Sequence, residues 1–344
     1  LPLALVGVLP AARAGGVSVP TAAFVAVYDL LLPAGLVAAS AWILLRRPVA
    51  LAPPRVDAAH PDVPSSLLPA GLVAVVAAGV GWVVGATVAP WADALTAVGA
   101  GVGSGLVARY YPMARVRARV RAVEDGLDDV LSLVGRRVTA GDSVEVAVES
   151  AADAVSTPAG DVFADAAGVR RRLRVGVREA FLGRYGVLSD LPSPRARSAA
   201  ALLAVAATEG RPAGRAVVAT ADHLRELRRV ESEARRELAS VTGTLSNTAA
   251  LFAPLVGGAT VAMAARMGAA ETALVEGGAG TLGPSLLGVA VGAYVLALAV
   301  VLTALSTGLD RGLDRTLVGY RVGLALLSAT AVYLAAFRGA ALVF

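Results

Sequence analysis

Six stretches of this chain are almost empty of charge. Residues 14–45 hold only Asp29, and residues 63–92, 94–108, 238–265, 277–309 and 322–337 hold none. A bilayer core about 30 Å thick is crossed by roughly 20 predominantly apolar residues in a helix. Helices satisfy their own backbone hydrogen bonds and so survive in hydrocarbon. The windows therefore predict an all-α, polytopic membrane protein with about six transmembrane helices, near 22–45, 67–89, 91–108, 247–267, 285–306 and 321–341. The third is the shortest and the richest in glycine. Residues 1–12 are apolar but interrupted by Pro2 and Pro10, which suits a signal remnant, a short interfacial piece or the end of another helix.

The charge missing from these windows is concentrated in one place. Residues 109–240 hold 22 of the 31 arginines and 18 of the 26 acids, so this segment is expected to be a solvated domain between an N-terminal membrane region (1–108) and a C-terminal one (241–344). It opens with Arg109, Arg115, Arg117, Arg119 and Arg121, directly after an apolar stretch. Arginine marks the cytoplasmic flank of a membrane helix. The domain is therefore expected in the cytoplasm of a cell-membrane protein. Alternation then puts Arg46, Arg47, Arg55, Arg311 and Arg315 inside and Glu271 and Glu276 outside.

Within 109–240 the apolar residues recur with helical period. Val123, Leu127, Val130, Leu131, Val134 and Val138 lie on one helix face. Val144, Ala147, Val148, Ala151 and Val155 form a second face, opposite Glu145, Glu149 and Asp153. Thr139-Ala140-Gly141 is expected to end the first helix, with Asp142 and Glu145 as the capping box of the next. The stretch TAGDSVEVAVESAAD at 139–153 then aligns with TEGRPAGRAVVATAD at 208–222, an offset of 69. Gly141 coincides with Gly210, and the second face carries over as Ala213, Ala216, Val217, Thr220 and Leu224. Both glycines are expected in interhelical turns of a duplicated helical hairpin. The second hairpin runs on through Glu231/Arg235 and Arg229/Glu233, spaced i,i+4, towards the fourth membrane segment.

Several chemistries are excluded or disfavoured. The chain contains no Lys and no Cys, so it has no P-loop lysine, Schiff base, thiol nucleophile or thiolate metal site. His60 and His223 are its only histidines, both in charged stretches, which leaves Ser104 of GAGVGSGLV without a membrane-embedded base. The glycine pairs Gly81/Gly85, Gly99/Gly103, Gly101/Gly105 and Gly288/Gly292 instead have the spacing of close helix packing. Asp29 is the only charge in the window 14–45 and lies inside the first expected span; a helix-end or interhelical hydrogen bond is its main reading and proton coupling the lesser one. The acids Glu124, Asp125, Asp128 and Asp129 suit a helix start. No metal, cofactor or catalytic residue is expected, and a net charge of +5 is too small to argue for nucleic acid.

These residues resemble the F-domain inner-membrane platform proteins of type II secretion and type IV pilus machines, the archaeal and tight-adherence branches included. The similarity lies in LDDVLSLVGRRVTAGDSVEVAVESAA and LLAVAATEGRPAGRAVVATADHL, each an amphipathic helix followed by a glycine turn and an alanine-valine helix. It extends to RLRVGVREAFLGRYG, through Gly176, Ala180 and Phe181, and to ALFAPLVGGATVAM with its early Pro254. It covers about 120–268, and the Pro-containing segment 186–194 departs from the pattern. The resemblance implies a non-enzymatic assembly platform whose cytoplasmic bundle meets a hexameric secretion ATPase and whose membrane helices hold pilin-like subunits. Membrane lipids and further copies of the chain are the other expected partners. The expected contact groups are the acids Asp128, Asp129, Glu145 and Glu149, taken as exposed, and the patch Arg170, Arg171, Arg172 and Arg174. A transporter or channel subunit with a regulatory cytoplasmic domain is the alternative.

Overall fold

The computed structural model describes residues 68–274, 284–311 and 314–343. The expected helix at 22–45, with Asp29, and also His60 lie outside the described residues. In chain order the helices are α1 (Leu68–Val88), α2 (Asp93–Ala140), α3 (Val144–Ala154), α4 (Pro158–Leu173), α5 (Val177–Leu182), α6 (Pro194–Glu209), α7 (Arg211–Asn247), α8 (Ala253–Leu274), α9 (Pro284–Arg311) and α10 (Arg315–Val343). No strand occurs among the described residues. Ser66–Tyr111 with Leu238–Phe344 belongs to one compact unit and Pro112–Glu237 to the other, against the expected boundaries 109 and 240.

Among the described residues four helical runs are long and apolar enough to cross a membrane: Leu68–Val88, Pro212–Met267, Ser285–Asp310 and Arg315–Leu342. The expected third span is not a separate helix. It forms the first turns of the 48-residue α2, where Gly99, Gly101, Gly103 and Gly105 replace larger apolar side chains and dilute its hydropathy. Those glycines bring helices together. A Cβ on Gly101 or Gly105 would press on Ala78 or Ala74 of α1, and one on Gly103 would meet Leu327 and Gly323 of α10. Gly81 and Gly85 lie equally close to the Thr96 region of α2, and Gly288 and Gly292 to Trp91 and Leu95. The hydroxyl of Thr96 donates to Gly81 O at 2.7 Å across this contact. Leu72, Val75 and Val83 on the outward side of α1 are more than half exposed, which suits an apolar surrounding.

Between α7 and α8 lies a π turn, Thr248–Phe252, closed by Ala253 N–H donating to Thr248 O. Pro254 follows at the second position of α8. A proline ring clashes with the carbonyl four residues back, and the wider π turn accommodates such a defect without breaking the helix.

The Pro112–Glu237 unit is built on a single apolar core. Val120, Val123, Leu127, Val130, Leu131, Val134 and Val138 of α2 pack with Val144, Ala147, Val148 and Ala151 of α3 and with α4 to α7. Phe163 and Phe181 meet edge to face, 5.0 Å between centroids. The 69-residue offset relates the buried stripes of α2 and α6 and the turns that follow them. Leu127, Val130, Leu131 and Val134 are buried on α2, as are Ala196, Ala199, Ala200 and Leu203 on α6. α2 ends at Ala140 and α6 at Glu209. The next residues, Gly141 (φ 116) and Gly210 (φ 73), both lie in interhelical turns at positive φ, which glycine enters without a Cβ clash.

Two local expectations are corrected. The cap of α3 is Ser143, whose hydroxyl accepts from Val146 N–H at 3.4 Å. Asp142 is still closing α2: its N–H donates to Arg137 O and its carboxylate pairs with Arg137 at 3.4 Å. In the second hairpin Ala216 is exposed, and the buried residues are Ala213, Val217 and Ala221. A Cβ on Gly135 would meet Gly214 O, and one on Gly214 would meet Thr139 and Val138. That close approach turns α7 so that its inner face runs through Gly214 rather than Ala216.

Candidate interaction surface

α2 and α7 set opposite charges against one another. Asp128, expected as an exposed contact acid, is only 1% exposed. The reason is its place in the repeat: it sits between the core residues Leu127 and Val130, with its carboxylate turned to α7. Arg228 donates to its Oδ2 at 2.6 Å and Arg225 lies 3.5 Å from the same oxygen. Oδ1 is buried without a hydrogen-bond partner. Asp129, on the next position of the helix, is exposed and reaches Arg225 at 3.7 Å. Beside this cluster Asp125, Arg225, Arg228, Arg229, Ser232 and Glu233 line a polar groove of about 460 Å³.

A second network was not legible in the sequence. Ser193 caps α6 by accepting from Ala196 N–H at 3.0 Å, and its hydroxyl also donates to Glu124 at 2.5 Å. Arg195 reaches Glu124 at 3.9 Å and Glu231 at 2.9 Å, and Glu231 in turn meets Arg235 at 3.7 Å. Ser193 and Glu124 are 69 residues apart and Arg195 and Glu231 are 36 apart, so no local spacing announces these contacts. The pairs Glu231/Arg235 and Arg229/Glu233, the latter at 3.2 Å, did carry the i,i+4 signal.

The other two expected patches meet each other. Arg170 and Arg171 of α4 both donate to Glu149 Oε1 of α3, at 2.6 and 3.2 Å. The hydrogen bond from Arg170 holds the Glu149 carboxyl below the usual carboxylate range, with a smaller contribution from Arg171, against an opposing effect of burial. Glu145 is half-buried on α3. Arg172 and Arg174 remain exposed, Arg174 in a left-handed conformation at the C-cap of α4 (φ 54). Near the start of the unit, burial and the neighbouring Arg121 lower the basicity of Arg117.

Ser104 donates to Gly101 O one turn back, at 3.2 Å, a local bond that leaves its oxygen part-buried in the helix. Among the described residues no group of three or more His, Asp or Glu is placed to hold a metal ion. The surface presents both signs of charge in rigid helical positions, which suits polar, electrostatically guided contact with another macromolecule. Comparison with known proteins finds no matching family model, no similar curated protein and no similar solved structure.

Proposed function

We propose that this chain is a non-enzymatic membrane platform for assembling type IV pilus-like filaments or type II secretion machinery. In this reading the Pro112–Glu237 unit is cytoplasmic and binds a hexameric secretion ATPase, while the apolar helices hold pilin-like subunits. The reading rests on one observation above the others. A helical unit with an internal 69-residue repeat, including paired glycine turns at Gly141 and Gly210, is inserted in the sequence between apolar helices long enough to cross a bilayer. Since the chain has no lysine, nucleotide-driven work would come from a partner with its own phosphate-cradling loop.

The test is copurification of the chain with a hexameric secretion ATPase from the same cells. Binding is expected at low salt and should weaken at high salt, because exposed charges are screened over about 8–10 Å at ordinary ionic strength. Reversing Asp129, Glu145 and Arg174 together should abolish filament assembly while leaving membrane insertion intact. Failure of the wild-type chain to retain any such ATPase at low salt sinks the platform reading. ATPase-independent solute movement by the purified chain would instead favour a transporter subunit.

A further inference from the structure

We propose that the outward face of α4 is a self-association surface, docking antiparallel on α4 of a second copy of this chain. The proposal stands apart from the platform reading. α4 buries Ala159, Val162, Phe163, Ala166 and Ala167 and exposes Asp161, Ala164, Asp165 and Arg172, with Gly168 half-exposed among them. Positions 161, 164, 165, 168 and 172 are three and four apart and so share one side of the helix. Charge is segregated along it: acids in the first half, arginine in the last turn. Neither Asp161, Asp165 nor Arg172 enters an ion pair among the described residues, unlike their neighbours Arg170 and Arg171.

Gly168 supplies an independent observation. A Cβ built on it meets nothing within 4 Å, whereas Gly126, Gly135, Gly160 and Gly214 of the same unit each lie against a neighbour at under 3 Å. Glycine inside an exposed helix weakens it relative to alanine, and no contact among the described residues accounts for it. A backbone arriving from outside does. Ala164 and Gly168, four apart, are the small pair that permits two helices to approach closely.

The sign pattern selects both occupant and direction. In an antiparallel pair Asp161 comes level with Arg172 of the second copy, and Asp165 with Gly168. A parallel pair would set Asp161 against Asp161 and Arg172 against Arg172. The antiparallel arrangement has a two-fold axis between positions 165 and 168, making it an isologous contact of the commonest kind. It repeats the Asp161–Arg172 pair twice, about 16 Å apart along the helix at 1.5 Å per residue, and opposes the two macrodipoles.

The chain has no cysteine, so Asp165→Cys in the full-length protein, reconstituted in lipid, gives a unique handle beside the axis. A short bis-maleimide should yield a crosslinked dimer of this chain. Asp161→Arg or Arg172→Asp alone should lower that yield about tenfold, since like charges then face each other, and the two reversals together should restore it. Gly168→Leu should also abolish the crosslink while helical content and thermal midpoint hold or rise, because a Cβ there meets no described atom within 4 Å. No dimer with Asp165→Cys, or crosslinking to a different protein, overturns the proposal. So do unchanged yields in the single reversals or in Gly168→Leu, and failure of the double reversal to restore the dimer.

Discussion

Asp128 is the residue whose removal should be felt most. Its carboxylate is buried with Arg228 at 2.6 Å, and Arg228 keeps a third of its side chain exposed. Breaking a fully buried pair costs about 3–5 kcal/mol through the abandoned charge; Arg228 can recover part of its hydration, so Asp128→Ala should cost about 1–3 kcal/mol, measured by chemical denaturation. Asp129→Ala, exposed beside it, should stay within about 0.5 kcal/mol. Sequence spacing could not separate these neighbours. Both read as acids at a helix start, whereas with Glu124 and Asp125 they lie well inside the 48-residue Asp93–Ala140 helix, and only the register against the core turns one inward. Glu149 makes a second residue-scale prediction. Its folded carboxyl titrates below the unfolded one because Arg170 donates to it. Its contribution is therefore fully present above the unfolded carboxylate value, about 4.3, and is lost as pH falls through the lower folded value. Stability measured from pH 7 to pH 2 should show this loss in the wild type, and Glu149→Gln should flatten that part of the curve. An identical curve for the variant would show that the Arg170 bond contributes nothing.

The interhelical turns decide how the elements meet. Gly210 has φ 73 and ψ −141, a region that residues with a Cβ enter only under strain, and Gly141 has φ 116. Alanine at either position should cost about 1–3 kcal/mol while leaving the helices formed, so a lowered denaturation midpoint with unchanged far-ultraviolet circular dichroism is expected. Gly176→Ala is the matched control: its φ is −72 and its Cβ site is open, so it should be near neutral. These turns were legible because glycine, helix end and repeat fall at one offset. The buried stripe of α2 was legible for the same kind of reason: a 3.6-residue period survives in Val123, Leu127, Val130, Leu131, Val134 and Val138, all buried. The cap at Ser143 and the rotated face of α7 were not. The first depends on which of two adjacent polar residues is extended, the second on a glycine–glycine approach between segments about 80 residues apart, and neither leaves a periodic trace. The Ser193–Glu124–Arg195–Glu231 network was hidden by the same long separations.

At the scale of the whole molecule the start of α2 decides how the described helices α1, α2 and α10 cross a bilayer together. By hydropathy four runs among the described residues qualify, and 93–111 is not one of them. Its packing argues otherwise. Gly85 of α1 lies against Ala92, Gly81 against Thr96 and Ala100, Gly101 against Ala78, and Gly105 against Ala74. The contacts step backwards along α1 as they step forwards along α2, so the two run antiparallel for most of the length of α1. If α1 crosses the membrane, α2 returns through it. α10 makes the same statement from its other side: Gly99 meets Thr330, Gly103 meets Leu327, and Gly319 meets Tyr110. The far ends agree too, since Arg338 near the end of α10 donates to Thr87 O near the end of α1. If, as proposed, the arginines at 109–121 lie inside, the turn at 89–92 is expected outside and His223 inside. Pro90 and His223 are both exposed and the chain has no cysteine of its own. Pro90→Cys should therefore react with a membrane-impermeant maleimide on intact cells, and His223→Cys only after permeabilisation. Protection of both positions would leave α2 outside the count of spans, and the reverse pattern would invert the orientation altogether.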